Sequence, residues 1–350
     1  MVQYLSSLFN TLSKKNRILA KESKRNNQLM LTSSSDAVIM INPDNRKNYA
    51  AGYSKRGKKG INNQDCFIIS EEFGCRDQDT VFCGVFDGHG QWGHLVSKTV
   101  RKSMPSTLLC NWQENVALNA HDLDYGLGQE NRGNIQFDMW KQSHYKTCAD
   151  VDQELKQNPR IDSFYSGCTG LTLIRQGDLM IIANVGDSRA VLATTSDNGN
   201  LVAIQLSTDF KPNLPHESKR IAESRGRVYS CPDEVGVHRL WMPRGDTVKG
   251  PGLALSRAFG DYYIKDFGLI SEPEITQRNI TSTDQFAILA TDGVWDVVTN
   301  QEAVEIVGST RGRAESAKRL VEFAVCAWKR KGRSAVMDDI SAVCLFFHCS

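Results

Sequence analysis

From about residue 50 onward, short apolar runs bounded by turn residues are interspersed with stretches whose apolar positions recur every three or four residues. The runs at 66–70, 80–86, 170–175, 179–184, 190–194, 202–206, 285–290 and 342–347 predict β-strands. Helical spacing predicts helices over 92–110 and 138–156. It is clearest late in the chain, where Ala317, Leu320, Val321, Ala324, Ala327 and Trp328 share one face. Lys329, Arg330 and Lys331 followed by Gly332 mark the end of that helix. Gly177-Asp178 and Gly186-Asp187 read as tight turns between neighbouring antiparallel strands. The strands cluster together and the helices stand apart, which favours an α+β layered sandwich over repeated βαβ units.

Residues 1–45 differ from the rest. Up to Ser35 they carry six Lys and Arg against a single acid, Glu22. The expected organisation is therefore a disordered basic tail over 1–45 and one folded domain over 46–350. Lys14, Lys15, Arg17, Lys21, Lys24 and Arg25 could instead favour an anionic membrane surface, with Leu5, Leu8 and Phe9 dipping in. Val2 removes the N-myristoylation signal, and the basic start bears a faint likeness to a transit peptide.

Composition narrows the function further. The chain has 350 residues, 40% of them hydrophobic, enough to bury a real core. A net charge of +2 gives no strongly basic face, so no nucleic-acid partner is expected. The ten cysteines show no zinc spacing, and several lie inside apolar runs, which points to a reducing compartment. No apolar segment approaches the roughly 18 residues that span a bilayer. A soluble monomer of the cytoplasm or nucleus is expected, with peripheral membrane contact through the tail as an alternative.

The chemistry is concentrated where strands end. The run Val81–Phe86 stops at Asp87-Gly88-His89-Gly90, and the run from Phe286 to Thr291 stops at Asp292-Gly293-Val294-Trp295-Asp296. Asp338-Asp339 and Gln64-Asp65 each precede a further apolar run. Taken singly, each Asp-Gly reads equally as a hairpin turn. Together they place carboxylates at the ends of four strands, and hard oxygen ligands on rigid strand ends suit Mg²⁺ or Mn²⁺.

Six segments carry a resemblance: Val85-Phe86-Asp87-Gly88-His89-Gly90, Ser166-Gly167-Cys168-Thr169-Gly170, Asn184-Val185-Gly186-Asp187-Ser188-Arg189, Ala258-Phe259-Gly260-Asp261, Ala290-Thr291-Asp292-Gly293-Val294-Trp295-Asp296 and Asp338-Asp339-Ile340-Ser341. In order and spacing they resemble the type 2C metal-dependent serine/threonine protein phosphatases. The wording is most like plant members, notably at Lys211-Pro212-Asn213-Leu214-Pro215. The resemblance implies a four-layer α-β-β-α sandwich, two antiparallel sheets packed face to face and flanked by helices. It implies hydrolysis of phosphoserine and phosphothreonine in protein substrates by a hydroxide held between two Mg²⁺ or Mn²⁺ ions. It further implies Asp87, the Gly88 carbonyl, Asp292 and Asp338 as metal ligands and His89 as general acid. Asp187 and Asp65 are left as candidates for a weaker third ion or for groups surrounding the pair. For Asp187 a plain hairpin turn competes.

The sequence departs from the family at one place. Many members carry an Arg ahead of a Glu-Asp pair and use it to grip phosphate, whereas Gly60 and Gln64-Asp65 stand here, with Asn62-Asn63 one residue longer. Lys58 or Lys59 could contact phosphate as a point charge, or both could be solvated loop charges. Two other functions compete: a catalytically weak relative that only binds phosphoproteins, and a metal-dependent nuclease, which the near-neutral charge disfavours. Trp241 reads either as part of a flap beside the site or as core. His94, His121, His144, His216 and His238 match no ligand spacing.

Overall fold

The computed structural model describes residues 37–40, 50–71, 73–74, 80–118, 129–232, 234, 236–243, 250–332 and 336–348. One sheet is built from β1 (Ala37–Met40), β2 (Ala50–Lys55), β9 (Arg189–Thr195), β10 (Leu201–Gln205), β15 (Asp284–Ala290) and β16 (Ile340–Phe346), in the order β1-β2-β16-β15-β9-β10. The other holds β3 (Cys66–Ser70), β4 (Thr80–Phe86), β7 (Gly170–Gln176), β8 (Leu179–Val185) and β14 (Glu274–Asn279), in the order β14-β8-β7-β4-β3. Every pairing in both sheets is antiparallel.

The two sheets face one another, and helices cover their outer sides. Alternate residues of one strand therefore enter different cores. Val81, Cys83 and Val85 of β4 meet Ala287 and Leu289 of β15 and Val343 and Leu345 of β16 between the sheets. Phe82 and Phe86 of β4 point the other way, against Val96, Val100 and Leu108 of α1 (Gly93–Leu118) and Trp140 and Leu155 of α2 (Gln129–Gln157). On the far side, Ile288, Ala342 and Cys344 pack against α6 (Asn300–Gly308) and α7 (Ser316–Arg330), the latter through Leu320, Val321, Ala324 and Trp328. This two-sided burial is why the strands read as unbroken apolar runs. It makes the α-β-β-α sandwich expected from the resemblance.

Smaller elements complete the fold. They are α3 (Pro215–Glu223), α4 (Tyr262–Lys265) and α5 (Asp292–Trp295), a ribbon of β11 (Arg227–Ser230) with β12 (His238–Trp241), and a three-stranded patch of β5 (Gly88–His89), β6 (Gly167–Cys168) and β13 (Phe259–Gly260). Helix α6 opens with a capping box, in which Thr299 and Glu302 exchange side-chain-to-backbone hydrogen bonds.

Two expectations change. Gly177-Asp178 does join the neighbouring strands β7 and β8, but Gly186-Asp187 does not close a hairpin. It carries the chain from β8 in one sheet to β9 in the other, with Gly186 at φ 110° against Thr169. Strand β1 lies within the stretch assigned to the tail and pairs with β2, Val38 opposite Ser54. Residues 1–36 and 41–49 lie outside the described residues.

Candidate metal centre and acid group

Strand register gathers the aspartates on one rim. Cys66 pairs with Phe86, so Asp65, just before β3, stands beside Asp87, just after β4. Ala290 pairs with Ala342, so Asp292, just past β15, stands near Asp338 and Asp339, just ahead of β16. The sheet-to-sheet crossover delivers Asp187 to the same rim. Thr169 ties these elements together: its hydroxyl accepts from the Asp87 amide at 3.1 Å and lies 2.9 Å from the Ser188 hydroxyl, while its own amide donates to the Asp87 carbonyl at 2.8 Å.

Asp292 opens α5, with Thr291 as the residue before the helix. The Thr291 hydroxyl donates to Asp65 Oδ2 at 2.8 Å and accepts from the Ser341 amide at 3.0 Å, so one side chain links three strand ends. Asp65 Oδ1 is buried with no hydrogen-bond partner. A buried carboxylate oxygen left bare is costly unless a cation or donor satisfies it.

The electrostatics agree. Burial first, and then the charges of Asp65, Asp338 and Asp187, push the Asp87 carboxyl well above the ordinary carboxylate range. Asp292 is raised by burial and then by Asp87, Asp187 and Asp338. Asp65 is raised by burial and then by Asp339. The carboxylates crowd one another more than the protein's own cations relieve them.

Two lysines reach into the cluster. Lys59 Nζ donates to Asp338 Oδ2, and Lys211 Nζ donates to Asp187 Oδ2. For Lys59, burial works against the charged ammonium, but Asp338, and behind it Asp292 and Asp87, outweigh burial and raise its pKa. Lys58 is exposed, and its amide bonds the Met337 carbonyl at 2.8 Å, so of the two candidate lysines only Lys59 enters the cluster. Asp339 serves the loop instead. Its carboxylate accepts from the Gly57 amide at 2.6 Å and the Gln64 amide at 2.8 Å. Gln64, where the family has Glu, spends its side-chain amide on the Gly90 carbonyl at 2.7 Å.

Among the described residues, no three His, Cys, Asp or Glu side chains are drawn together closely enough to hold an ion as they stand. The donor set is nonetheless of the right kind. It consists of hard oxygens, mutually repelling, with one buried oxygen unpartnered.

His89 sits beside the cluster on β5, where it pairs with Gly167 of β6. Its Nε2 is 2.5 Å from Asp261 Oδ2. Burial alone would lower the pKa of His89, but the charge and hydrogen bond of Asp261 outweigh it and raise the value. Asp261 closes one of the six family-like segments, yet no local pattern in the sequence assigns it to His89. It adopts a left-handed conformation, φ 52° and ψ 45°, that non-glycine residues seldom take. Lys211 is likewise legible only as part of a motif.

The comparisons with known proteins bear on the same residues. The family model described as "Protein phosphatase 2C" matches residues 50–330. The chain belongs to the protein phosphatase 2C family. Among its relatives, the protein named probable protein phosphatase 2C 73 of Arabidopsis thaliana is 56% identical over 332 residues, covering 95% of this chain and 86% of that one. Probable protein phosphatase 2C 48 of Oryza sativa subsp. japonica is 57% identical over 304 residues, covering 86% of this chain and 84% of that one. The crystal structure of serine-threonine phosphatase 2C from Toxoplasma gondii superposes with a TM-score of 0.76 at 26% identity, covering 89% of this chain and 99% of that one. The phosphatase is thus a plant-like serine/threonine protein phosphatase of this family, and the phosphoprotein-binding alternative is not favoured. Among the described residues no helix is long and apolar enough to cross a membrane.

Proposed function

We propose that this phosphatase hydrolyses phosphoserine and phosphothreonine esters with the help of two Mg²⁺ or Mn²⁺ ions, Asp87, the Gly88 carbonyl, Asp292 and Asp338 being the groups that would hold them. Asp65 and Asp187 stand close enough in charge to serve a weaker third ion or to orient water around the pair. The observation that carries the reading is the gathering of Asp87, Asp292 and Asp65 at one rim beside Asp338, where burial and mutual repulsion raise the carboxyls of the first three. When bound, such ions neutralise the equatorial phosphate oxygens and make a nucleophile from water near neutral pH.

The chain's own groups do the rest. His89, whose charged form Asp261 favours through Nε2, can give the proton of its other ring nitrogen, Nδ1, to the departing Ser or Thr oxygen. Lys59 can turn from Asp338 to the incoming phosphate as a point charge, in place of the bidentate Arg common in the family. The eight described cysteines are all unpaired thiols, which supports a reducing compartment such as cytoplasm or nucleus. The basic segment proposed to touch membranes lies outside the described residues.

The test is a phosphothreonine-peptide assay titrated with Mg²⁺ and Mn²⁺. Turnover is expected only with metal, and Asp87→Asn or Asp292→Asn should abolish it. Undiminished turnover after complete chelation would reject the reading. Tight phosphopeptide binding without metal-supported turnover would restore the binding-protein alternative.

A further inference from the structure

We propose that Trp92, Phe164 and Tyr165 form an aromatic shelf beside His89 that receives an apolar side chain of the substrate polypeptide next to the phosphoresidue. The proposal rests on the phosphatase reading above and specifies the substrate. Trp92, Phe164 and Tyr165 remain 36%, 42% and 41% exposed, in a protein that buries most of its large apolar side chains. Phe164 and Tyr165 are in ring contact, and exposed aromatics held together in this way mark contact surfaces.

The shelf is bonded to the backbone that seats the acid group. The Trp92 amide donates to Ser166 Oγ at 2.9 Å, and the Asp261 amide donates to the Ser166 carbonyl at 3.0 Å. Gly90, next to His89, lies so close to the Tyr165 carbonyl that a Cβ there would stand 2.5 Å from it. Two of the three rings are also fixed against one another. Phe164 and Tyr165 meet edge to face at 4.8 Å, and Tyr165 lies 5.1 Å from the buried ring of Tyr263. Tyr263 is anchored in turn, its hydroxyl donating to the Pro251 carbonyl at 2.8 Å. A surface fixed in advance loses little entropy when a ligand settles on it.

The reaction's geometry says what crosses this surface. The oxygen that takes the proton from His89 carries the rest of the polypeptide. That polypeptide therefore leaves on the side of His89, while the phosphoryl group faces the carboxylate rim. The shelf offers aromatic faces and edges rather than charge. An apolar neighbour of the phosphoresidue gains burial there, and a polar one gains nothing.

The test compares two phosphothreonine peptides, one with leucine on both sides of the phosphothreonine and one with serine there, using p-nitrophenyl phosphate as an ester with no peptide. For the wild type, kcat/KM should be about tenfold higher for the leucine peptide. Phe164→Ser with Tyr165→Ser should erase that preference while leaving turnover of p-nitrophenyl phosphate within about twofold of wild type. Tyr165→Phe, which keeps the ring, should keep the preference. Equal kcat/KM for the two peptides in the wild type overturns the proposal, as does a preference that survives the double substitution. So does an equal fall on all three esters, which would make the rings mere scaffold. Absence of metal-supported turnover of any ester by the wild type would instead overturn the phosphatase reading, and the shelf with it.

Discussion

His89 Nε2 and Asp261 Oδ2 stand 2.5 Å apart although 172 positions separate them in sequence. They meet across β6, whose Gly167 pairs with His89 on one side and with Gly260 on the other. The carboxylate fixes the ring and favours its charged form, which is what a proton donor to an alkoxide needs. The left-handed backbone at Asp261 is a strained way to aim this side chain, and strain of this kind collects at working sites.

Asp261→Asn should therefore lower kcat on a phosphothreonine peptide by about 100-fold. The loss on p-nitrophenyl phosphate should be far smaller, because p-nitrophenolate departs without being protonated. Equal losses on the two esters, measured side by side, would remove His89 from the role of proton donor.

Gly167→Ala should reproduce that pattern without touching either ionisable group. The added Cβ would stand 2.1 Å from Asp261 Oδ2 and 2.7 Å from His89 Nε2, so the pair must part. The leaving-group comparison, with circular dichroism to confirm that the fold persists, decides the matter. A variant with wild-type kinetics would show that the contact is dispensable.

Asp87→Asn should abolish turnover and yet raise the melting temperature of the metal-free protein by about 2–4 °C. It removes a carboxylate that burial and the charges of Asp65, Asp338 and Asp187 all disfavour. Differential scanning calorimetry in chelator is the measurement. A lower melting temperature would mean that the rim is not under like-charge repulsion.

Lys59→Ala should act in two opposite directions. Freed from its ion pair, Asp338 should bind metal more readily, so half-saturation by Mn²⁺ should fall. The KM for phosphopeptide should rise by about tenfold, since a charge on the phosphate is lost. An unchanged KM would leave Lys59 as a plug on Asp338 and nothing more.

His144, buried on α2, sets an acid limit on stability. Burial drives its pKa down from 6.5 to about 4, only partly offset by the hydrogen bond to the Trp140 carbonyl. The folded protein binds this proton less readily than the unfolded chain. The contribution is thus complete above pH 6.5 and lost as pH falls toward about 4, at about 1.4 kcal/mol per pH unit. Urea midpoints of wild type and His144→Leu between pH 4 and 7 should diverge in slope. Parallel curves would clear His144 of the effect.

Much of the scaffold is legible in the sequence because its strands are buried on both sides. Continuous apolar runs such as 80–86 and 285–290 are too short for a buried helix and too apolar for a surface strand, and β3 and β4 span the residues expected. Elements held mainly by tertiary contacts leave no such trace. The two-residue strands β5, β6 and β13 are too short for any period, and β14 alternates weakly because its sheet edge is half exposed. Helix α6 goes unread in the sequence, although the Thr299…Glu302 capping box that the structure shows at its start has a sequence pattern of its own. At the site, Asp87 and Asp292 are legible from apolar strands ending in Asp-Gly. Asp187 reads as a hairpin because a crossover and a hairpin share the same Gly-Asp signal. Asp261 is invisible as a partner of His89, since only the folded chain shows which carboxylate faces the ring.

Strand β16 lies in the interior of its sheet, between β2 and β15, and hydrogen-bonds to both. While the protein is being synthesised, the halves β1-β2 and β15-β9-β10 cannot be joined into one sheet until residues 340–346 emerge. The same residues bring Asp338 with them. A ribosome stalled, or a message cut, upstream of that point would therefore release a chain with an open hydrophobic seam and a carboxylate rim that lacks Asp338.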